Sequence, residues 1–274
     1  MNLKDFIKFC ERRLHRIIYK VIYKNIYIYQ LGVFLSRHTN FLLPHEEDIC
    51  GLNYLNLDKK KYIVDVGASD GLYFKSVRSI GIKNKFISFE PLKKNIKHLS
   101  RIKKKNKNFK FYTLALGNKN GLLTIYTPIY ENKLLYNWSS YSKKESEKIL
   151  KLRNFNINFN KLNFEKNKIK QKKLDFFKLK LTLLKLDVEG YEIKVLLGAL
   201  QTIKKFKPII YVENNLTKGK YNTVNFFNKK LSKFGYKPYI FNFEKKSFFK
   251  YNKDNIKKRF SSCNVYFVIK RYLN

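Results

Sequence analysis

Three carboxylates and a lysine crowd one short apolar stretch, LLKLDVEGYEIKVLLGA at residues 183–199: Lys185, Asp187, Glu189 and Glu192, with Gly190 among them. Its first half reads as a buried strand and its second half as a helix. Carboxylates at such a junction can take a proton from a reacting hydroxyl, or they can grip the neighbouring hydroxyls of a polar substrate. Joined by Glu213 from the following strand, Asp187 and Glu189 could also offer oxygen ligands to a divalent cation. No histidine accompanies them, so the metal reading ranks behind the other two. Lys185 stands two residues before Asp187 and four before Glu189, and side chains at such alternate positions share a strand face. It therefore reads either as a reactive group or as the ion-pair partner of a carboxylate. Glu192 falls in the first turn of the helix, where a negative charge favours the helix dipole, and is read as structural.

A second cluster lies upstream, in DVGASDG: Asp65, Gly67, Ala68, Ser69, Asp70 and Gly71. Glycines between a strand and a helix make a tight turn and let backbone approach a ligand. The pattern is not GxGxxG, and Asp70 stands where a pyrophosphate would lie, which disfavours a dinucleotide and hence a nicotinamide dehydrogenase. A carboxylate there suits a cofactor with a positive amino group and no phosphate, and S-adenosylmethionine is such a cofactor. Glu90 ends the next strand 23 residues beyond Gly67. An acid at that spacing accepts hydrogen bonds from ribose hydroxyls.

The elements that must carry these groups alternate. Short apolar runs at residues 61–67, 85–91, 109–117, 181–190, 208–215, 236–243 and 263–270 read as seven strands. Helical patterns fill most intervals, which predicts an α/β fold with a doubly wound, mostly parallel sheet. The last two strands have little helix between them and predict an edge hairpin. Residues 118–180 break the rhythm; a connection that long is a lid, a binding loop or an added subdomain. It holds a charged helix near residues 143–153, strand-like KLDFF, and Trp138 beside Ser139 and Ser140, a group suited either to sugar stacking or to a core.

In order and spacing, YIVDVGASDGLYFKSV, FISFEPLKKNIKHL, LALGNKNG, LLKLDVEGYEIKVLLGA and KPIIYVENN resemble the FkbM family of S-adenosylmethionine-dependent methyltransferases. The resemblance runs from about residue 47 to 270 and implies a Rossmann-like methyltransferase sheet. It implies O-methylation of a hydroxyl on a sugar, glycolipid or polyketide. It places the cofactor on Asp65, Gly67, Ala68, Ser69, Asp70, Gly71 and Glu90, with Ala115 to Gly117 near the adenine. It sets Asp187 and Glu189, with Lys185 on the same strand, beside the methyl-transfer centre. The family commonly has Asn where this chain has Ser69, and Ser keeps the hydrogen-bonding capacity.

The chain has 274 residues, with 59 Lys and Arg against 20 Asp and Glu, a net charge of +39. The lysines are scattered in small clusters, and Asn, Ile and Tyr are abundant throughout, which reads as compositional bias rather than a nucleic-acid site. LDVEG also lacks the Asn/Asp-Pro-Pro-aromatic pattern of amino-directed nucleic-acid methyltransferases, so no specific nucleic-acid partner is expected. Residues 1–46 form a separate extension ahead of a methyltransferase domain at 47–274. Within it, residues 1–35 predict a basic amphipathic helix that docks on protein or touches a membrane surface peripherally. Cys10, Cys50 and Cys263 are far apart without a CxxC pair, which fits a reduced, cytoplasmic setting. No secretory leader and no membrane span is expected. His15, His38, His45 and His98 lie in none of these motifs.

Overall fold

A computed structural model describes residues 47–152, 157–215, 223–252 and 262–273. The basic amphipathic helix expected at residues 1–35 lies outside the described residues. In chain order the strands are β1 (Tyr62–Val66), β2 (Phe86–Phe89), β3 (Phe109–Tyr112), β4 (Ala115–Leu116), β5 (Gly121–Tyr130), β6 (Lys133–Leu134), β7 (Asn163–Lys172), β8 (Leu181–Leu186), β9 (Ile209–Asn215), β10 (Lys237–Asn242), β11 (Ser247–Lys250) and β12 (Ser262–Val268). The helices are α1 (Leu72–Ser79), α2 (Ile96–Lys105), α3 (Lys143–Leu152), α4 (Glu192–Leu197), α5 (Leu200–Phe206) and α6 (Thr223–Leu231). No helix among the described residues is long and apolar enough to cross a membrane.

The main sheet has the order β11-β10-β12-β9-β8-β1-β2-β3. Strands β1, β2, β3, β8 and β9 run parallel, while β12, β10 and β11 join by antiparallel pairing. The sheet is thus eight-stranded and mixed, where the sequence predicts seven mostly parallel strands. The additional edge strand β11 is short, and SFFK alternates too briefly to stand out beside lysines. The predicted antiparallel closing strands are present: β10 pairs with β12, and β12 sits between β10 and β9. β8 is buried along its whole length because helices cover both faces, which explains its unbroken apolar run. Strand order reverses between β1 and β8, and such a switch point opens a crevice at the carboxyl ends of the strands.

Three boundaries differ from the sequence reading. Phe109–Gly117 is not one strand: the chain leaves the main sheet after Tyr112, and Ala115–Leu116 pairs with β7 in a second sheet of order β4-β7-β5-β6. The helix expected over residues 191–206 divides into α4 and α5 at Gly198, where a Cβ would collide with the Gly117 carbonyl oxygen. KLDFF is not a strand but a 3-10 turn, Leu174–Phe177, whose Asp175 carboxylate accepts from the N–H groups of Gln201 and Thr202 at the start of α5.

The long connection is therefore a subdomain with its own small core. Trp138, Tyr130, Leu135, Leu150 and Ile157 bury together between α3 and the second sheet. Trp138 is a core residue, which removes it from sugar stacking.

Candidate active site

Parallel register sets Asp65 of β1 beside Lys185 of β8. The Lys185 ammonium lies 3.2 Å from Asp65 Oδ1, an ion pair off the hydrogen-bond direction, and donates to Asp187 Oδ2 at 3.1 Å. It also sits 5.3 Å over the ring of Tyr73. The two acids differ in exposure: the Asp65 side chain has none, and that of Asp187 is 37% exposed. Burial pushes the Asp65 carboxyl above its usual range, and the positive charge of Lys185 pulls it back. One buried cation thus ties a core carboxylate to a carboxylate at the mouth. Lys185, read from sequence either as a reactive group or as an ion-pair partner, is placed by the fold in an ion pair with both acids.

The common strand face expected for Lys185, Asp187 and Glu189 does not extend to Glu189, because β8 ends at Leu186. Glu189 and Gly190 follow with φ of 50° and 95°, a left-handed turn that aims Glu189 independently of the strand. This conformation is unfavourable for a non-glycine residue and persists where surroundings fix it. Glu192 Oε1 accepts from the N–H groups of Val188 at 2.9 Å and Gly190 at 3.2 Å. Ser140 Oγ reaches over from the subdomain and donates to the Glu189 carbonyl at 2.8 Å. The Tyr141 ring packs 4.9 Å from that of Tyr191. Burial pushes the Glu192 carboxyl up, and its backbone donors oppose that. Glu192 is structural, as its place in the helix implies. The grip of Ser140 is not legible from a serine 49 residues away in sequence.

The glycine turn wraps the exit of β1. The N–H groups of Gly67 and Ala68 both donate to the Phe89 carbonyl, at 3.0 and 3.2 Å. Gly67 has φ 82°, and a Cβ there would collide with the Asp187 carbonyl; Gly71 has φ 85°, and a Cβ would collide with Ile102 of α2. Gly67 is thus required by the neighbouring turn and Gly71 by its own left-handed backbone, not only by close approach of a ligand. Ser69 adopts φ 49°, and its N–H donates to Glu90 Oε2 at 2.8 Å. Glu90 Oε1 accepts from the N–H of Leu92 at 2.9 Å. Glu90 is buried, which pushes its carboxyl up against the pull of these donors and of Asn95. Asp70 is largely buried in the same turn.

Asp65, Gly67, Ala68, Ser69, Asp70, Gly71, Glu90, Lys185 and Asp187 therefore gather at the exits of β1, β2 and β8, with Glu189 in the turn beyond. Ala115 follows the end of β3 by three residues and belongs to the second sheet, where it is buried opposite Gln171. Among the described residues no three His, Cys, Asp or Glu side chains form a group that could hold a metal ion, so Asp187, Glu189 and Glu213 do not constitute one.

A mixed α/β sheet whose central strands run parallel, with a glycine turn after its first strand, an acid after its second and an acid-rich turn at its switch point, is consistent with a methyltransferase-like fold. The family profile described as Methyltransferase FkbM domain matches residues 65–238, and the chain belongs to that family. Among solved structures, the methyltransferase FkbM from Methylobacillus flagellatus KT is similar over 79% of this chain and 45% of its own, with 15% identity and a TM-score of 0.48. This chain thus spans less than half the length of that protein. Precorrin-6y C5,15-methyltransferase from Geobacter metallireducens GS-15 is similar over 83% of this chain and 88% of its own, with 11% identity and a TM-score of 0.36. Comparison with curated proteins gives no match.

Proposed function

We propose that this methyltransferase domain uses S-adenosylmethionine to methylate a hydroxyl oxygen of a sugar, glycolipid or related small molecule, in glycan or cell-envelope biosynthesis. The cofactor would supply an electrophilic methyl group on a positively charged sulfur. The donor set fits such a group. Each oxygen of Glu90 accepts one backbone N–H, and a carboxylate oxygen has a second lone pair for a ribose hydroxyl. Asp70 supplies negative charge in the turn where an amino group would lie, and no basic side chain of that turn calls for a phosphate.

The observation that carries the reading is the Asp187 carboxylate, held by buried Lys185 yet open to solvent at the mouth. Methyl transfer to oxygen breaks a carbon–sulfur bond, forms a carbon–oxygen bond and releases the hydroxyl proton. Asp187 or Glu189 accepts that proton or orients the acceptor's neighbouring hydroxyl. Fixing the alignment of the two reactants contributes up to about 7–11 kcal/mol to such reactions, and a positioned base about 10²–10⁴-fold in rate. Lys185 and Glu192 then act as positioning residues, one for the Asp187 side chain and one for the turn that carries Glu189.

The test is transfer of a labelled methyl group from S-adenosylmethionine to glycan and lipid extracts of the cell envelope, with mass spectrometry of the product. Label on an oxygen of a sugar or lipid-linked sugar is expected. Label confined to RNA, or no transfer by a chain that binds the cofactor in calorimetry, overturns the proposal.

A further inference from the structure

The outer face of the subdomain sheet carries an uncompensated row of lysines. On β7, Lys166, Lys168 and Lys170 are exposed, while Asn167 and Ile169 are half-buried and Gln171 is buried. Antiparallel register sets Tyr126, Thr124 and Leu122 of β5 opposite those lysines. The one acid of the two strands, Glu165, has the other parity and stands opposite Thr127. Among the described residues no salt bridge engages Lys166, Lys168 or Lys170. Like charges two residues apart on a strand are about 7 Å from one another, inside the Debye length of about 8 Å at physiological ionic strength. The isolated fold gains nothing from that row.

Apolar side chains lie at one end of it. Leu122 is 62% exposed, Phe176 58% and Tyr112 39%, three of the five large hydrophobic side chains exposed among the described residues. They are joined to the row. Leu122 pairs across the ladder with Lys170, and the Lys172 ammonium lies 4.5 Å over the Phe176 ring. Phe177 links the two aromatics, with ring centroids 5.4 Å from Phe176 and 5.1 Å from Tyr112. Apolar groups in water beside unpaired lysines are the two elements of interfacial membrane binding: one favours burial at the acyl boundary, the other pairs with anionic headgroups. Single-stranded nucleic acid stacks on exposed aromatic rings; Phe176 and Tyr112 present such rings, but Leu122, the most exposed of the three, is aliphatic and favours the acyl boundary.

We propose that this face docks on an anionic phospholipid bilayer, with Leu122 and Phe176 entering the headgroup boundary and Lys168, Lys170 and Lys172 meeting lipid phosphates. The patch adjoins the candidate site, since the Tyr112 carbonyl accepts from the Glu90 N–H at 3.1 Å. Docking would bring the mouth of the main sheet to the level of lipid headgroups, where a lipid-linked hydroxyl is presented. That last step rests on the proposed reaction; the docking does not.

The test is co-sedimentation of the full chain with vesicles of phosphatidylcholine alone or mixed with phosphatidylglycerol. Neither methyl donor nor acceptor is present, so the outcome is independent of the proposed chemistry. Binding to the anionic vesicles only is expected. Lys168→Gln with Lys170→Gln should lower partitioning about 30-fold, at roughly one kcal/mol per lysine. Leu122→Ser with Phe176→Ser should also lower it, whereas Lys103→Gln with Lys104→Gln, the same charge change at the end of α2, should leave it near the starting value. Equal loss in the α2 variant, retention in the lysine variant, absence of binding to anionic vesicles, or capture of single-stranded RNA in preference to vesicles each overturns the proposal. If the Leu122 and Phe176 variant fails to fold, the exposed lysine pair decides.

Discussion

Lys185 holds two carboxylates of opposite environment, and that makes its removal informative. Lys185→Met would leave the fully buried Asp65 without its cation, which destabilises proteins by about 3–5 kcal/mol. Adding Asp65→Asn removes the orphaned charge and should recover most of that loss in urea unfolding; no recovery would show that Lys185 acts through packing instead. Asp187 and Glu90 divide differently. Asp187→Asn should lower turnover about 100-fold or more with cofactor binding largely kept, whereas Glu90→Ala should weaken cofactor binding in calorimetry. Unchanged turnover in Asp187→Asn and in Glu189→Gln would remove both from the reaction. The sequence reaches these residues because side-chain chemistry and strand-end position are local. It does not reach the division of labour, because the 3.2 Å approach of Lys185 to Asp65 depends on the register of two strands far apart in the chain.

The turn from Asp187 to Gly190 is an element whose shape depends on a buried acid. Glu192 carries a carboxyl pushed above its usual range by burial, so the folded chain binds that proton more tightly than the unfolded chain. Its contribution to stability is full below the unfolded value, about 4.3, and is lost as pH rises through the raised folded value. Glu192→Gln keeps a carbonyl oxygen for the N–H groups of Val188 and Gly190 and removes the titration. The variant should therefore show a flatter dependence of melting temperature on pH across that window; an unchanged slope would place the dependence on Asp65 and Glu90 instead. The elements around this turn were legible unevenly. β1, β2, β8 and β9 are short apolar runs whose burial on both faces leaves a plain signal. β7 was not legible, because its exposed positions are lysines and its other face is only partly apolar. The split between α4 and α5 was hidden for another reason, since Gly198 answers to the Gly117 carbonyl of a distant segment.

At the scale of the molecule, a net charge of +39 on 274 residues sets the electrostatic background for every one of these contacts. A surplus of one sign destabilises the compact state through self-repulsion. The repulsion acts between exposed lysines at distances comparable with the Debye length, about 30 Å at 0.01 M salt and 10 Å at 0.1 M. Salt therefore weakens the repulsion strongly. It weakens the Lys185 pairs little, because Lys185 and Asp65 are buried and the separations of 3.1 and 3.2 Å lie far inside either screening length. The two effects do not cancel, and the sign is fixed: the melting temperature should rise with sodium chloride over this range. A chain of this size should gain about 2–4 °C for each kcal/mol of repulsion relieved. Scanning calorimetry at constant pH measures it, with sodium sulfate at equal ionic strength as the comparison. A rise that tracks ionic strength alone identifies screening of the general surplus. A rise far steeper in sulfate contains the general effect of a salt excluded from the protein surface; the part that Lys168→Gln with Lys170→Gln removes identifies anion binding to the β7 row. A melting temperature that falls with chloride would mean that exposed salt bridges outweigh repulsion, which the scarcity of acids makes physically unfavourable.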